Sequence, residues 1–196
     1  MYETIVSGAR ARAKILALFV GSIWLVSLAN FILPLHLELL GVRPRQLLGL
    51  IGFVVAPWVH AGIGHLLSNT VPLLVLGWLA MWPRVDCFWR AVLGSMVGAG
   101  AAAWVLGSSN SSHIGASGVV FGLCGYILAR GYYSRQIVTI AIALLAAFLY
   151  GFSMLKGVLP LFPGVSWQSH LGGFIGGFIA ARLTHARYTS PGKPSF

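Results

Sequence analysis

The chain has 196 residues, 58% of them hydrophobic and only 8% charged, with a mean hydropathy of +0.86. A soluble domain carries roughly 25% charged residues; 13 basic and three acidic side chains are too few to coat a globule of this length, which excludes a soluble monomer and makes lipid the main solvent. The net charge of +10 does not point to nucleic acid, because the basic residues sit at the ends of apolar runs instead of clustering on a polar face.

A helix that crosses ~30 Å of hydrocarbon needs about 20 mostly apolar residues. Six segments meet or approach that requirement: 15–34, 65–83, 88–107, 114–131, 137–156 and 165–182. Helices satisfy their own backbone groups in lipid, and no alternating strand pattern recurs. The expected fold is therefore an all-α membrane protein, a compact bundle of six transmembrane helices.

In chain order, Arg10, Arg12 and Lys14 precede the first apolar run. That layout is shared with signal peptides, and Ser27-Leu28-Ala29 is a weak cleavage site. The run continues through Phe31, Ile32 and Leu33, which favours an uncleaved helix. The stretch 35–64 sets Arg43-Pro44-Arg45 beside Leu47, Leu48, Leu50, Ile51 and Phe53, a composition suited to a segment lying in the membrane interface. The second span is preceded by His60 and begins with His65 and Asn69. The polar run 107–113 leads into the fourth, which opens Gly115-Ala116-Ser117-Gly118. A loop with Pro160 and Pro163 leads into the sixth, which opens Ser169-His170.

With the N-terminus inside, ten of the 13 basic residues fall on the cytoplasmic side: Arg10, Arg12, Lys14, Arg84, Arg90, Arg130, Arg135, Arg182, Arg187 and Lys193. Arg43, Arg45 and Lys156 fall outside. The positive-inside rule then predicts both termini cytoplasmic: an N-terminal segment 1–14, a membrane domain 15–182 and a tail 183–196, with no low-complexity stretch beyond 191–196. Cys87 and Cys124 form neither a disulfide framework nor a zinc spacing, and on this topology they are not expected to pair. Glu3, Glu38 and Asp86 are too few for paired-carboxylate chemistry or a Ca²⁺ or Mg²⁺ cage.

Polar groups inside spans are costly and therefore informative. Counting back from Arg130 and Arg182 places Ser117 ~9 Å and His170 about 10 Å below the outer boundary. His170, Gly173 and Gly177 share one helix face, and the fourth span offers Gly118 and Gly122. Small faces let helices approach closely in lipid, so a crossing there would bring Ser117 within hydrogen-bond reach of His170. That is the relation of an activated nucleophile to its base. Phe121, one turn below Ser117, would hold the imidazole ring. The run 107–113 would line a water-filled cavity, with the loop 157–166 over it.

In these three motifs, His60-x4-His65-x3-Asn69, Gly115-Ala116-Ser117-Gly118 and His170-x2-Gly173-x3-Gly177, the chain resembles the rhomboid intramembrane serine proteases. The resemblance spans about 60–180 and agrees with the compact six-span form of that family. It implies Ser117 as nucleophile and His170 as general base, a dyad with no acid. It also implies His65, Asn69 and the Ser117 backbone N–H as oxyanion donors, and Gly115 and Gly118 as holders of a tight entry into the helix. The expected activity is an endopeptidase that cuts transmembrane or membrane-adjacent segments of other membrane proteins near the extracytoplasmic face, in a plasma membrane of bacterial type, with no cofactor or metal and no nucleic-acid partner. Two positions depart from the family. Many members carry Trp-Arg where this chain has Ile51-Gly52, so the anchoring of that loop is expected to differ. The residue four after the serine is often tyrosine; here it is Phe121, which keeps ring stacking and loses the hydroxyl.

Taken singly, these residues have plainer readings. His60 reads as a brace under the first loop, His113 as a loop residue, His36 and His185 as interfacial, and the tryptophans as belt or packing residues. Ser117 alone would be a packing serine and His170 alone an interhelical hydrogen-bonding residue. Rival functions are a metal or haem protein liganded by His60, His65 and His170, a catalytically inactive relative that binds transmembrane helices, and a transporter. The first lacks carboxylates behind its ligands and a His-Glu-x-x-His motif, and the last lacks a charged path at mid-membrane.

Overall fold

The computed structural model describes residues 2–82 and 84–189, and the side chains of residues 8–82 and 84–186 within them. Lys193, the tail 191–196, the span end at Pro83 and the side chains of Glu3 and Arg187 lie outside what is described. Among the described residues the chain is helical, with one isolated antiparallel bridge between Val42 and His113 and no strand.

The long helices are α1 (Tyr2–Ile32), α3 (Ile63–Ala80), α4 (Asp86–Leu106), α5 (Ser117–Ser134), α6 (Ile137–Val158) and α7 (Trp167–Thr189); a single turn, α2 (Gly52–Val55), and three short 3₁₀ turns occupy the first long connection. Each long helix overlaps one predicted segment. Four of them are long and apolar enough by composition to cross a membrane: the part of α1 over Gly8–Ile32, α3, α4 and α6. α5 and α7 fall short of that criterion because they are rich in glycine and carry polar residues.

One boundary differs in a way that matters. The fourth segment was expected to be helical from 114, but α5 starts at Ser117 itself. Gly115 sits at φ +107°, a conformation that ends any helical path through it. Ser117 is thus the first residue of its helix, reached by an irregular loop, not a residue six positions down a regular one. Irregular backbone inside a membrane bundle persists only where protein or a wet cavity satisfies it. Here the first long connection does so: Val42 and His113 exchange two backbone hydrogen bonds of 3.0 Å, and the Gly115 N–H donates to the Ala56 carbonyl at 2.8 Å.

α5 is the central helix, with its run from Gly118 to Ile127 buried without a break. α7 packs against it through Gly173, whose missing Cβ leaves room for the Gly118 backbone, and through Gly177, which does the same for Gly122. On its other face α7 meets α4, where Gly172 and Gly176 lie against Gly98 and Gly94. α7 is therefore held between two helices by glycines on both sides. The apolar core around Phe19, Phe88, Leu73, Leu76 and Leu123 fills the rest of the bundle.

Candidate active site

Ser117 and His170 meet where α5 and α7 cross. Ser117 Oγ lies 2.8 Å from His170 Nε2, and His170 Nδ1 lies 2.9 Å from the Gly157 carbonyl oxygen at the end of α6. The Phe121 ring stacks on the imidazole, with centroids 4.0 Å apart and planes 10° from parallel. His170 is buried, so its ring is held on one face by Phe121 and at both nitrogens by hydrogen bonds. No side chain caps the N-terminus of α5, which leaves the positive end of that helix beside Ser117.

The pair opens onto a cavity of about 1080 Å³. His65, Ser68, Asn69 and Pro72 of α3 line it, as do Leu149, Tyr150, Ser153 and Met154 of α6. Ser108, Ser111, Ser112 and His113 from the polar run and residues 162–166 from the loop before α7 also line it. A cavity of this size and polarity has room for water and for a length of extended peptide.

His65 packs against the α-carbon of Gly115, where any Cβ would come within 2.5 Å of the ring, so Gly115 provides both the turn and the space for that histidine. Asn69 is only partly available. One amide N–H donates to the His65 carbonyl of its own helix at 2.8 Å, which leaves its second N–H for another acceptor.

His60 has a role wider than the brace expected of it. Its Nε2 accepts from the Ala116 N–H at 3.3 Å, so a neutral ring carries its proton on Nδ1 and donates to Ser27 Oγ at 3.0 Å; that hydroxyl in turn donates to the Trp58 carbonyl. The chain of bonds links α1 to the residue just before Ser117. Burial, with the neighbouring His65, pushes the His60 imidazole down to about 4, so the ring stays neutral around pH 7 and keeps accepting. His60 and His170 each use both ring nitrogens inside the protein, and among the described residues no group of three or more His, Cys, Asp or Glu side chains converges as a ligand set.

His113 is buried, and burial lowers its affinity for a proton. It joins Ser111 at 2.9 Å to Ser166 Oγ, and Ser166 accepts from the Ser169 N–H, so Ser166 is the N-cap of α7. His36 is exposed on the first connection beside Glu38, whose carboxyl is held below its usual range by backbone and Asn30 hydrogen bonds. His185 stacks on Tyr133 at the far end of α7. Cys87 and Cys124 are buried and unpaired.

Gly52, at the departure from the family pattern, is buried against the backbone of Gly41 and Val42. The connection is anchored instead by Arg45, whose guanidinium donates to the Val105 carbonyl and to Ser109 at the end of α4. Three features were not anticipated: Arg45 as an anchor, the second glycine face of α7, and the Gly157 contact. The repeated Gly94-x3-Gly98 and Gly172-x3-Gly176 spacings carried a signal for the glycine face. A main-chain carbonyl leaves no such trace in a sequence.

Residues 47–187 match the Rhomboid domain family. An uncharacterized protein of Mycobacterium tuberculosis is 38% identical over 177 residues, covering 86% of this chain and 73% of that protein. One of Mycobacterium leprae is 37% identical, covering 86% and 69%. RHOMBOID-like protein 4 of Arabidopsis thaliana is 34% identical over 129 residues, covering 62% of this chain and 31% of its own length. With the family match extending over most of the chain and several helices apolar enough to cross a bilayer, this multi-pass membrane protein belongs to the rhomboid family.

Proposed function

We propose that the chain is an intramembrane serine endopeptidase, with Ser117 as nucleophile and His170 as general base. The observation that carries this reading is the 2.8 Å contact between Ser117 Oγ and His170 Nε2 at the floor of a large, partly polar cavity. In the acylation step His170 Nε2 takes the hydroxyl proton as Ser117 Oγ attacks the scissile carbonyl carbon. The C–N bond then breaks, and the same proton passes to the departing amine nitrogen. A water from the cavity, deprotonated by His170, attacks the acyl carbon and returns Ser117 to its hydroxyl form.

Negative charge on the tetrahedral oxygen needs donors fixed in advance. His65, the free amide N–H of Asn69 and the Ser117 backbone N–H are assigned that task, with the uncapped end of α5 adding its dipole. Substrate enters as a membrane segment, since α3 and α6 both line the cavity and both present apolar side chains to lipid. Such a segment must unwind before its peptide bond is reachable, so Gly, Ser or Pro near its outer end favours cleavage. All six long helices cross the bilayer in this reading, with both termini cytoplasmic and the dyad in the outer leaflet of a bacterial-type plasma membrane.

The test is a fluorophosphonate serine probe applied to detergent-purified protein beside Ser117→Ala and His170→Ala. Labelling that maps to Ser117 and is lost in both variants supports the dyad. A folded, monodisperse parent that stays unlabelled would instead make the chain a non-proteolytic binder of transmembrane helices.

A further inference from the structure

The two hydrogen bonds of the His170 ring are not equivalent. A carbonyl oxygen has no proton to give, so at the Gly157 contact Nδ1 must be the donor. A neutral imidazole has a single N–H, and with that proton on Nδ1 the lone pair is left on Nε2, facing Ser117 Oγ. The opposite tautomer would set two lone pairs against each other at Gly157 and an N–H against the hydroxyl that has to be deprotonated. Where a serine hydrolase places a carboxylate on the far side of its histidine, that group fixes the same tautomer. This chain has a main-chain carbonyl in the position.

Two features of residue 157 suit it to this task. It lies in the last turn of α6, where carbonyls have no partner within the helix and need one elsewhere. It is also a glycine with neighbours: a Cβ there would strike the edge of the Phe121 ring and come within 3.1 Å of His170 Nδ1. The space left by that missing side chain is occupied by the stacked pair of rings.

We propose that Gly157 is a positioning residue for the Ser117–His170 dyad, its carbonyl selecting the tautomer of the base and its lack of a side chain admitting the His170–Phe121 stack. The proposal rests on the reading of Ser117 and His170 as a catalytic pair.

The experiment compares the parent with Gly157→Ala and with Gly151→Ala, the same change on the same helix where an added Cβ meets nothing within 4 Å. One readout is the rate of fluorophosphonate labelling at Ser117, with thermal unfolding as the check on folding. The other is the nitrogen-15 spectrum of histidine-labelled protein at alkaline pH, with the His170 signals assigned by their loss in His170→Ala. The expected result is a parent protonated at Nδ1, a Gly157→Ala variant that labels at least ~10-fold slower with mixed tautomers, since small misplacements of reacting groups are costly, and a Gly151→Ala variant like the parent. A folded Gly157→Ala that labels at the parent rate with an unchanged spectrum overturns the proposal. So does a parent spectrum with the proton on Nε2, a result that needs no variant to fold. A folded parent that does not label at all overturns the protease reading beneath it, and the tautomer spectrum keeps the two failures apart.

Discussion

Where α7 crosses α5, backbone meets backbone: Gly173 lies on Gly118 and Gly177 on Gly122, with no side chain between them. α6, which lines the cavity beside α3, is held quite differently. It buries only Thr139, Ala143, Ala146 and Met154 and exposes Phe148 and Phe152 to lipid. Ser117 and His170, the proposed nucleophile and base, thus sit on two helices packed backbone to backbone, while one wall of the cavity is a helix with few buried side chains. On the proposed protease reading, rigid placement of the reacting atoms and access for a substrate segment would be served by different packing chemistry in one small bundle.

Substitutions at the close-packed crossing should have the largest effect. Gly177→Val would drive its side chain into the Gly122 backbone, at a cost of about 3 kcal/mol, the upper end of the usual scale of overpacking. It should yield no monodisperse protein, whereas Gly151→Val on α6, with open space around it, should purify and unfold like the parent. Next come the proposed oxyanion donors. His65→Ala should lower turnover of a cleaved substrate by about 10²–10³ while leaving the fold intact. Asn69→Ala should cost less, because one of its two donors is already committed to its own helix. Equal losses would mean that the amide turns away from the His65 carbonyl when substrate is bound.

The His60 brace should show itself in pH dependence. In the folded protein its ring resists protonation until about 4, against 6.5 when free. The unfolded chain therefore takes up that proton first as pH falls, and the stabilisation present above 6.5 drains away between 6.5 and about 4. The loss amounts to about 3 kcal/mol. His60→Phe should be less stable than the parent at neutral pH and show a shallower decline over this window in thermal unfolding; a decline as steep as the parent's would assign the effect to other histidines. The smallest effect expected is that of Ser166→Ala. Loss of the α7 N-cap should cost ~1 kcal/mol of stability and barely alter labelling of Ser117.

Much of the architecture was legible in the sequence because it follows from two patterns, apolar length and the spacing of small residues. The six segments anticipate the six long helices within a few residues at most ends, and His170-x2-Gly173-x3-Gly177 points at the crossing with α5. The start of α5 was misplaced because hydropathy does not register a φ of +107° at Gly115. The stitching of Val42 to His113 and of Gly115 to Ala56 was hidden because backbone hydrogen bonds across 71 and 59 positions leave no mark on residue type. His60 was recognised as structural, but its partners Ser27 and Ala116 lie on elements whose approach only tertiary packing decides.

The glycines of α5 and α7 also bear on how the protein is made. They remove the methyl groups that would let those helices partition into lipid by themselves, and neither helix is among the four whose composition suits a membrane span. On the proposed topology, a nascent α5 leaving the insertion machinery gains little from contact with acyl chains. Its glycines also lie against Ala99 and Ser95 of α4, but the α7 backbone that packs on Gly118 and Gly122 is synthesised only more than 30 residues later. On the proposed topology, α1, α3, α4 and α6 would enter the bilayer on their own composition, and α5 and α7, which carry Ser117 and His170, would be solvated by them. Defects at these glycines should accordingly appear as failures of membrane integration and turnover in the cell, before any question of catalysis arises.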